Sequence, residues 1–146
     1  MQTARFSLPQ LVVSQAQKEI THNEALLRID ALLHPAVESV SVTPPGTLLA
    51  ADSGKCWLIG VAATGLWQGH DAQIAYWTGG DWRFVVPLEG ISVLCKMPYG
   101  KIIFNNNQWV IPASIAAVSG GTTIDVEARA QLAALLGHLA TIGIVA

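Results

Sequence analysis

With 146 residues, of which 51% are hydrophobic and 12% charged, and a net charge of −2, the chain is poor in charge for its size. A soluble domain carries about 25% charged residues on average, so we expect this chain to bury surface against partners as well as in its own core. The chain has no basic stripe, which argues against nucleic-acid binding. It also has no apolar stretch of about 20 residues and no signal-peptide core, which argues against membrane insertion and export. We therefore expect synthesis in the cytoplasm.

The first predicted helix follows an extended arm in which Pro9 excludes an early helix. Ser14 and Gln17 have the spacing of a capping box, and the helical pattern ends near His34–Pro35. The apolar residues of one helix face are Ile20, Leu27 and Ala31, widened by Leu26, Ile29 and Leu33. We therefore assign residues 1–38 to an N-terminal arm and an amphipathic helix.

Residues 39–112 are predicted to form a tryptophan-rich antiparallel β domain. Alternating or apolar runs separated by Gly, Pro and Asn turns indicate short strands. These runs are residues 37–42, 54–60, the hairpin 73–87, 90–97 and the hairpin 101–112. The expected fold class is α+β: the N-terminal helix, a small antiparallel sheet or half-open barrel of about five to seven strands, and a C-terminal helix.

The C-terminal part is predicted to be a linker, residues 113–123, and an oligomerisation helix, residues 124–146. Thr122 can cap this helix, and Asp125 and Glu127 suit the dipole of its first turn. Its leucines follow the 3-4-3 spacing of a coiled-coil seam. Together with the N-terminal helix, the predicted oligomer interface comprises Ile20, Leu27, Leu132, Leu135, Leu136, Leu139 and Ile142.

The two hairpins share one pattern: an aromatic residue, a turn, a tryptophan, aliphatic residues and a proline. One interpretation is structural, because cross-strand aromatic pairs stabilise hairpins and tryptophan buries a large area. The alternative is a sugar platform, in which exposed indole faces stack on sugar rings and nearby polar groups bind hydroxyls. The candidate glycan contacts are Trp67, His70, Asp71, Trp77, Asp81 and Trp82.

No arrangement of residues indicates catalysis, a metal or a cofactor. Asp71, Asp81 and Glu89 lie in loops, but without a spacing that would define a glycosidase pair. The histidines are isolated, and no glycine-rich loop carries the lysine of a phosphate-binding loop. The two cysteines lie in apolar runs and are expected to be buried free thiols. We therefore expect a protein without enzymatic activity.

Three segments resemble a known family: "SQAQKEITHNEALLRIDALLHPAV" (14–37), the tryptophan- and glycine-rich stretch 54–90, and 125–144. They are similar to an uncharacterised domain family of prophages and gene-transfer-agent-like particles of alphaproteobacteria, whose members are often labelled phage-related or tail-fibre-associated. The resemblance implies a virion protein and supplies no catalytic residues. The asparagine-rich turn 105–107 departs from the family pattern.

The expected function is therefore that of a non-enzymatic structural component of a phage or phage-like particle, in a tail fibre, spike or baseplate. We expect a homotrimer, by analogy with other fibres and spikes, that docks onto other virion proteins. The alternative is a receptor-binding module in which the tryptophan loops bind a host surface polysaccharide.

Overall fold

Two helices flank a seven-stranded sheet in the computed structural model, which describes residues 1–11, 18–111, 114–117, 119–121 and 125–145. The helices are α1 (Lys18–Leu32) and α2 (Val126–Thr141). The strands are β1 (Ala36–Ser41), β2 (Cys56–Ile59), β3 (Ile74–Trp77), β4 (Trp82–Val85), β5 (Ser92–Met97), β6 (Tyr99–Asn105) and β7 (Gln108–Val110). The predicted α+β class is confirmed, and the strands lie within the predicted runs or within two residues of them.

The sheet is mixed, whereas the sequence predicted only antiparallel strands. Its order is β4-β3-β2-β1-β5-β6-β7, and β1 runs parallel to both of its neighbours. The other pairs are antiparallel, so two three-stranded meanders flank the central strand. The expectation failed at β1 because a long crossover, residues 42–55, separates β1 from β2 and permits parallel pairing.

Each face of the sheet carries its own apolar cluster, because successive side chains of a strand point to opposite sides. On one face α1 contributes Leu27 and Ala31 to the first cluster. The strand residues of that cluster are Val37, Cys56, Leu58, Ile74, Tyr76, Val93, Cys95 and Ile102. The second cluster consists of Trp57, Ile59, Ala63, Trp67, Ala75 and Trp82. Strands β2 and β3 contribute to both clusters and are therefore buried on both faces, whereas β6 is exposed on one face.

The sheet does not close into a barrel, since β4 and β7 remain its two edges. The indole of Trp109, on β7, nevertheless reaches the loop that precedes β3, where its Nε1 donates a hydrogen bond to the Ala72 carbonyl at 2.8 Å. The sheet is therefore curved enough for one side chain to connect its two halves, as expected for a half-open barrel.

The N-terminal arm, residues 1–11, is fastened to α1 and to the sheet through Asp30, which is fully buried. The Asp30 carboxylate accepts hydrogen bonds from Thr3 Oγ1 (2.6 Å), the Phe6 amide (2.8 Å), the Arg5 amide (3.0 Å) and the Tyr76 hydroxyl (3.0 Å). Burial acts to raise the pKa of Asp30, but these hydrogen bonds outweigh it and the pKa is lowered. Asp30 is thus held ionised inside the fold. The predicted capping residues Ser14 and Gln17 lie outside the described residues.

Helix α2 is joined to strand β6 by a hydrogen bond at its C-terminal end. Asp125 is its N-cap and accepts a hydrogen bond from the Ala128 amide at 2.8 Å, so Asp125 lies before the first turn and not in it as predicted. The predicted cap Thr122 lies outside the described residues. At the other end Gly143, with φ of 72°, closes a Schellman motif, and its carbonyl accepts a hydrogen bond from the Lys101 amide of β6 at 2.7 Å.

Candidate functional site

Four tryptophans meet around Trp82 on the face of the sheet opposite α1. Its ring centroid lies 5.5 Å from that of Trp57, 5.2 Å from that of Trp67 and 5.1 Å from that of Trp77. Trp67 is 0% exposed, Trp57 6% and Trp82 8%, whereas Trp77 is half-buried. An enclosed indole face offers no area for a sugar ring to stack on. The burial of Trp67 and Trp82 therefore favours the core interpretation over the predicted glycan platform.

The two tryptophan hairpins are stabilised in the same way. Trp77 lies directly opposite Trp82, and Phe104 lies directly opposite Trp109, with ring centroids 5.1 Å apart in each pair. The predicted correspondence between the hairpins is thus confirmed: each places one aromatic pair beside its tip, where such pairs stabilise a two-stranded ribbon.

The asparagine-rich tip of the second hairpin is held by Glu89. Asn106 and Asn107 have φ of 50° and 59°, the positive values that a two-residue hairpin turn requires. The Glu89 carboxylate accepts hydrogen bonds from both of their amides, at 3.1 and 3.0 Å. Glu89, one of the three loop carboxylates considered for a glycosidase pair, thus has a turn-stabilising contact.

The polar residues predicted near the indoles are likewise bound to their own chain. Asp71 accepts hydrogen bonds from the amides of Ala62 and Ala63, at 2.9 and 3.0 Å, and these bonds lower its pKa. The His70 ring stacks on Phe84, with centroids 3.7 Å apart and planes inclined by 11°. Its Nδ1 lies 3.2 Å from the Gln73 Oε1. Both candidate contacts therefore organise the loop between β2 and β3.

Asp81 protects an edge of the sheet. Because β4 is an edge strand, its outward backbone groups could pair with another chain. The Asp81 carboxylate accepts a hydrogen bond from the Trp82 amide at 2.8 Å and forms an ion pair with the Arg83 guanidinium, which lowers the pKa of Asp81. Arg83 in turn donates to the Trp82 carbonyl at 3.1 Å. Together, the two side chains occupy the polar backbone groups of Trp82.

The predicted oligomer interface divides into residues that the fold covers and residues that it leaves exposed. Leu27 is half-buried against the core beneath α1, and its place in an oligomer interface stays a prediction. Ile20 is exposed, and on α2 no side chain is fully buried. Leu136 and Leu139 are half-buried, and the exposed residues are Leu132 (46%), Leu135 (53%) and Ile142 (60%).

The part of the chain that the structure describes contains no group of three or more His, Cys, Asp or Glu residues placed to hold a metal ion. Within the same residues, no helix is long and apolar enough to cross a membrane. Cys56 and Cys95 are buried free thiols, as predicted, and burial raises the pKa of Cys56 to about 11.

Asp30 is the residue of greatest structural consequence that sequence reasoning missed. Its signal was present in the sequence, because a carboxylate stands beside Ala31 and three positions after Leu27, on the apolar side of the helix. A charge in such a position is buried only where it is paired or hydrogen-bonded. The pattern could therefore have predicted a buried carboxylate with donors from another segment.

Together, the curved seven-stranded sheet, its two clusters and the covering helix α1 define a small α+β module. The model of the DUF2793 family, described as a protein of unknown function, matches residues 22–110. This match covers more than half of the chain, and the chain therefore belongs to the DUF2793 family. It extends from α1 to the last residue of β7, so α2 lies beyond the matched part. Comparison with curated proteins gave no match.

Proposed function

We propose that this protein is a non-enzymatic structural component of a phage or phage-like particle, in a tail fibre, spike or baseplate, and that it acts by self-association and docking. The observation that carries the proposal is the exposure of α2. This helix has 16 residues and no fully buried side chain, although leucine and alanine dominate its sequence. A helix with so apolar a surface gains stability when a partner covers it.

A second copy of α2 fits this surface because the helix carries both large and small side chains. Leu135 and Ile142 project into solvent. A cavity of about 310 Å³ is lined by Ala117 and, on α2, by Arg129, Ala130, Leu132, Ala133 and Leu136. Protruding side chains that enter the holes of an identical helix are the basis of coiled-coil packing. Burying one exposed leucine or isoleucine contributes about 1.5–3 kcal/mol.

The particle context rests on the resemblance of the opening and central motifs to phage-related proteins. A homotrimer agrees with the threefold symmetry usual in fibres and spikes and with a parallel bundle of three α2 helices. The sheet with its two apolar clusters would then form a rigid body that docks onto other virion proteins. The protein would reside in the virion.

Self-association is tested by measuring the solution mass of the whole chain by light scattering. We expect a trimer for the natural protein and a monomer for the double variant Leu132→Asp/Leu135→Asp, because two buried carboxylates would be unpaired. Gln131→Asp places one carboxylate on an exposed neighbouring position of α2 and should remain a trimer. A natural chain that is monomeric at every concentration would contradict the proposal.

The particle context requires a separate test. Mass spectrometry of purified phage-like particles from the bacterium that encodes the chain should detect it in a fixed ratio to the other particle proteins. Its recovery only in the particle-free fraction would contradict a virion role, even if the chain is a trimer.

A further inference from the structure

A cleft of about 410 Å³ lies between the N-terminal arm, α1 and the β3–β4 hairpin, on the side of the sheet away from the tryptophan cluster. Its volume falls in the range of about 300–1,000 Å³ that is typical of small-molecule sites. The residues that line it are Met1, Gln2, Thr3, Ala4, Gln10, Leu27, Ser53, Tyr76 and Thr78. Four separate segments of the chain thus converge on one cleft.

Three polar side chains of the cleft have no hydrogen-bond partner among the described residues. These are the carboxamides of Gln2 and Gln10 and the hydroxyl of Ser53. The polar atoms of Thr3 and Tyr76, in contrast, are bound to Asp30. The free groups therefore remain available to a ligand, whereas Asp71 and Asp81 beside the tryptophans bind their own backbone.

The chemistry of the cleft suits a neutral ligand with hydroxyl groups. None of the described residues that line it has a charged side chain, so these side chains offer no counter-charge to an anion or a cation. Carboxamides and hydroxyls both donate and accept hydrogen bonds, as sugar hydroxyls do. Leu27 and Ala4 add apolar surface for the C–H groups of a sugar ring.

The walls of the cleft are fixed in advance by the contacts of the arm. The Arg5 guanidinium donates hydrogen bonds to the carbonyls of Ala31, at 3.0 Å, and His34, at 2.7 Å, at the end of α1. Ala4 and Arg5 also pack closely on Gly54, where a Cβ atom would come within 3.0 Å of the Ala4 Cβ and 2.9 Å of the Arg5 Cγ. A site built in advance avoids the entropic cost of ordering its walls on binding.

We propose that this cleft binds a single sugar residue of a neutral glycan, through Gln2, Gln10 and Ser53. The site is independent of α2 and of self-association. It places glycan contact at the arm and not at the tryptophan loops that the sequence suggested.

The test is an NMR titration of the isotopically labelled whole chain with glucose, galactose and N-acetylglucosamine. We expect at least one of the three sugars to give saturable amide shifts at Thr3, Ser53 and Thr78. Ser53→Ala and Gln10→Ala should each weaken binding by roughly three- to tenfold, the effect of one lost hydrogen bond. Both variants should fold, because the side chains they remove have no partner in the protein.

Gln68→Ala is the matched control, because Gln68 is an exposed glutamine in the loop beside the tryptophan cluster. It should leave the affinity unchanged. Shifts confined to His70, Asp71 and Trp77, the absence of shifts with all three sugars, or unchanged affinity in both cleft variants would each overturn the proposal. The oligomeric state of the same samples reports separately on self-association.

Discussion

The buried carboxylate of Asp30 gives the sharpest test of how the N-terminal arm is held. In Asp30→Asn an amide group replaces one carboxylate oxygen, and in either orientation it faces a backbone amide, that of Arg5 or that of Phe6. A hydroxyl can rotate away from an amide group, but a backbone N–H cannot. One buried donor is therefore left without an acceptor, which costs about 1–3 kcal/mol, and the remaining bonds lose their charge assistance.

We expect Asp30→Asn to lower the free energy of unfolding by about 3 kcal/mol near neutral pH, measured by urea unfolding followed through tryptophan fluorescence. Glu24→Gln is the control, since Glu24 is an exposed carboxylate of the same helix and should change little. Amide exchange at Arg5 and Phe6 should also become faster in Asp30→Asn. A loss below about 0.5 kcal/mol, the range of ordinary surface substitutions, would refute the assignment of Asp30 as the fastening of the arm.

The pH dependence follows from the direction of the pKa shift. The folded-state pKa of Asp30 is lowered from its ordinary value of 3.8, so the unfolded chain binds the proton more readily. Its contribution to stability is therefore fully present above the unfolded pKa and is lost as the pH falls through the folded pKa. The difference in stability between the natural chain and Asp30→Asn should accordingly shrink in acid. A difference that stays constant down to about pH 2 would contradict an ionised Asp30.

Three further predictions concern α2 and the two clusters. Gly143→Ala should destabilise the chain by about 1–2 kcal/mol and speed amide exchange at Lys101, because φ is 72° and a Cβ would lie 3.2 Å from the Lys101 amide. Gly137→Ala, in open space within α2, should instead stabilise by about 0.5–1 kcal/mol. Trp67→Phe should lower the free energy of unfolding in urea by less than about 1 kcal/mol, because it removes an indole N–H that is buried without a hydrogen-bond partner. Trp67→Ala should lower it by about 3–5 kcal/mol. Cys56 should react with a thiol reagent near pH 8 only on unfolding, because burial raises its pKa to about 11; rapid reaction of the folded chain would contradict this.

The positions of the strands could be predicted because they depend on local signals. Runs such as residues 54–60 are apolar and bounded by glycine, and the asparagines at 105–107 tolerate positive φ. The pairing of β1 could not be predicted, because parallel partners are selected by contacts distant in sequence. The Schellman motif at Gly143 did have a local signal, a glycine that follows the last periodic residue of the helix, although the predicted helix extends past it to residue 146.

The tryptophans show why a residue type alone did not decide between core and site. Trp57, Trp67 and Trp77, which are ten residues apart, fit a platform as well as a cluster. Only the fold shows that Trp67, in the loop between β2 and β3, is buried. The polar residues around them belong to turns and to an edge, where their hydrogen bonds go to backbone amides. The cleft beneath the arm was not predicted, because residues as distant as Gln10 and Thr78 line it together.

Among the described residues, α2 is one of the apolar surfaces that remain for assembly. One face of the sheet is covered by α1. On the other face the tryptophan cluster covers β2, β3 and β4, whereas Tyr99, Ile103 and Val110 are exposed on β6 and β7. At the edge strand β4, the polar backbone groups of Trp82 are occupied by Asp81 and Arg83. On β6, Lys101 lies beyond the residues that pair with β7, and its amide donates a hydrogen bond to the Gly143 carbonyl. Addition of a strand from another chain is thus disfavoured at these positions. In the described part of the chain no side chain of α2 is fully buried, which supports the proposed association of this helix with further copies of itself.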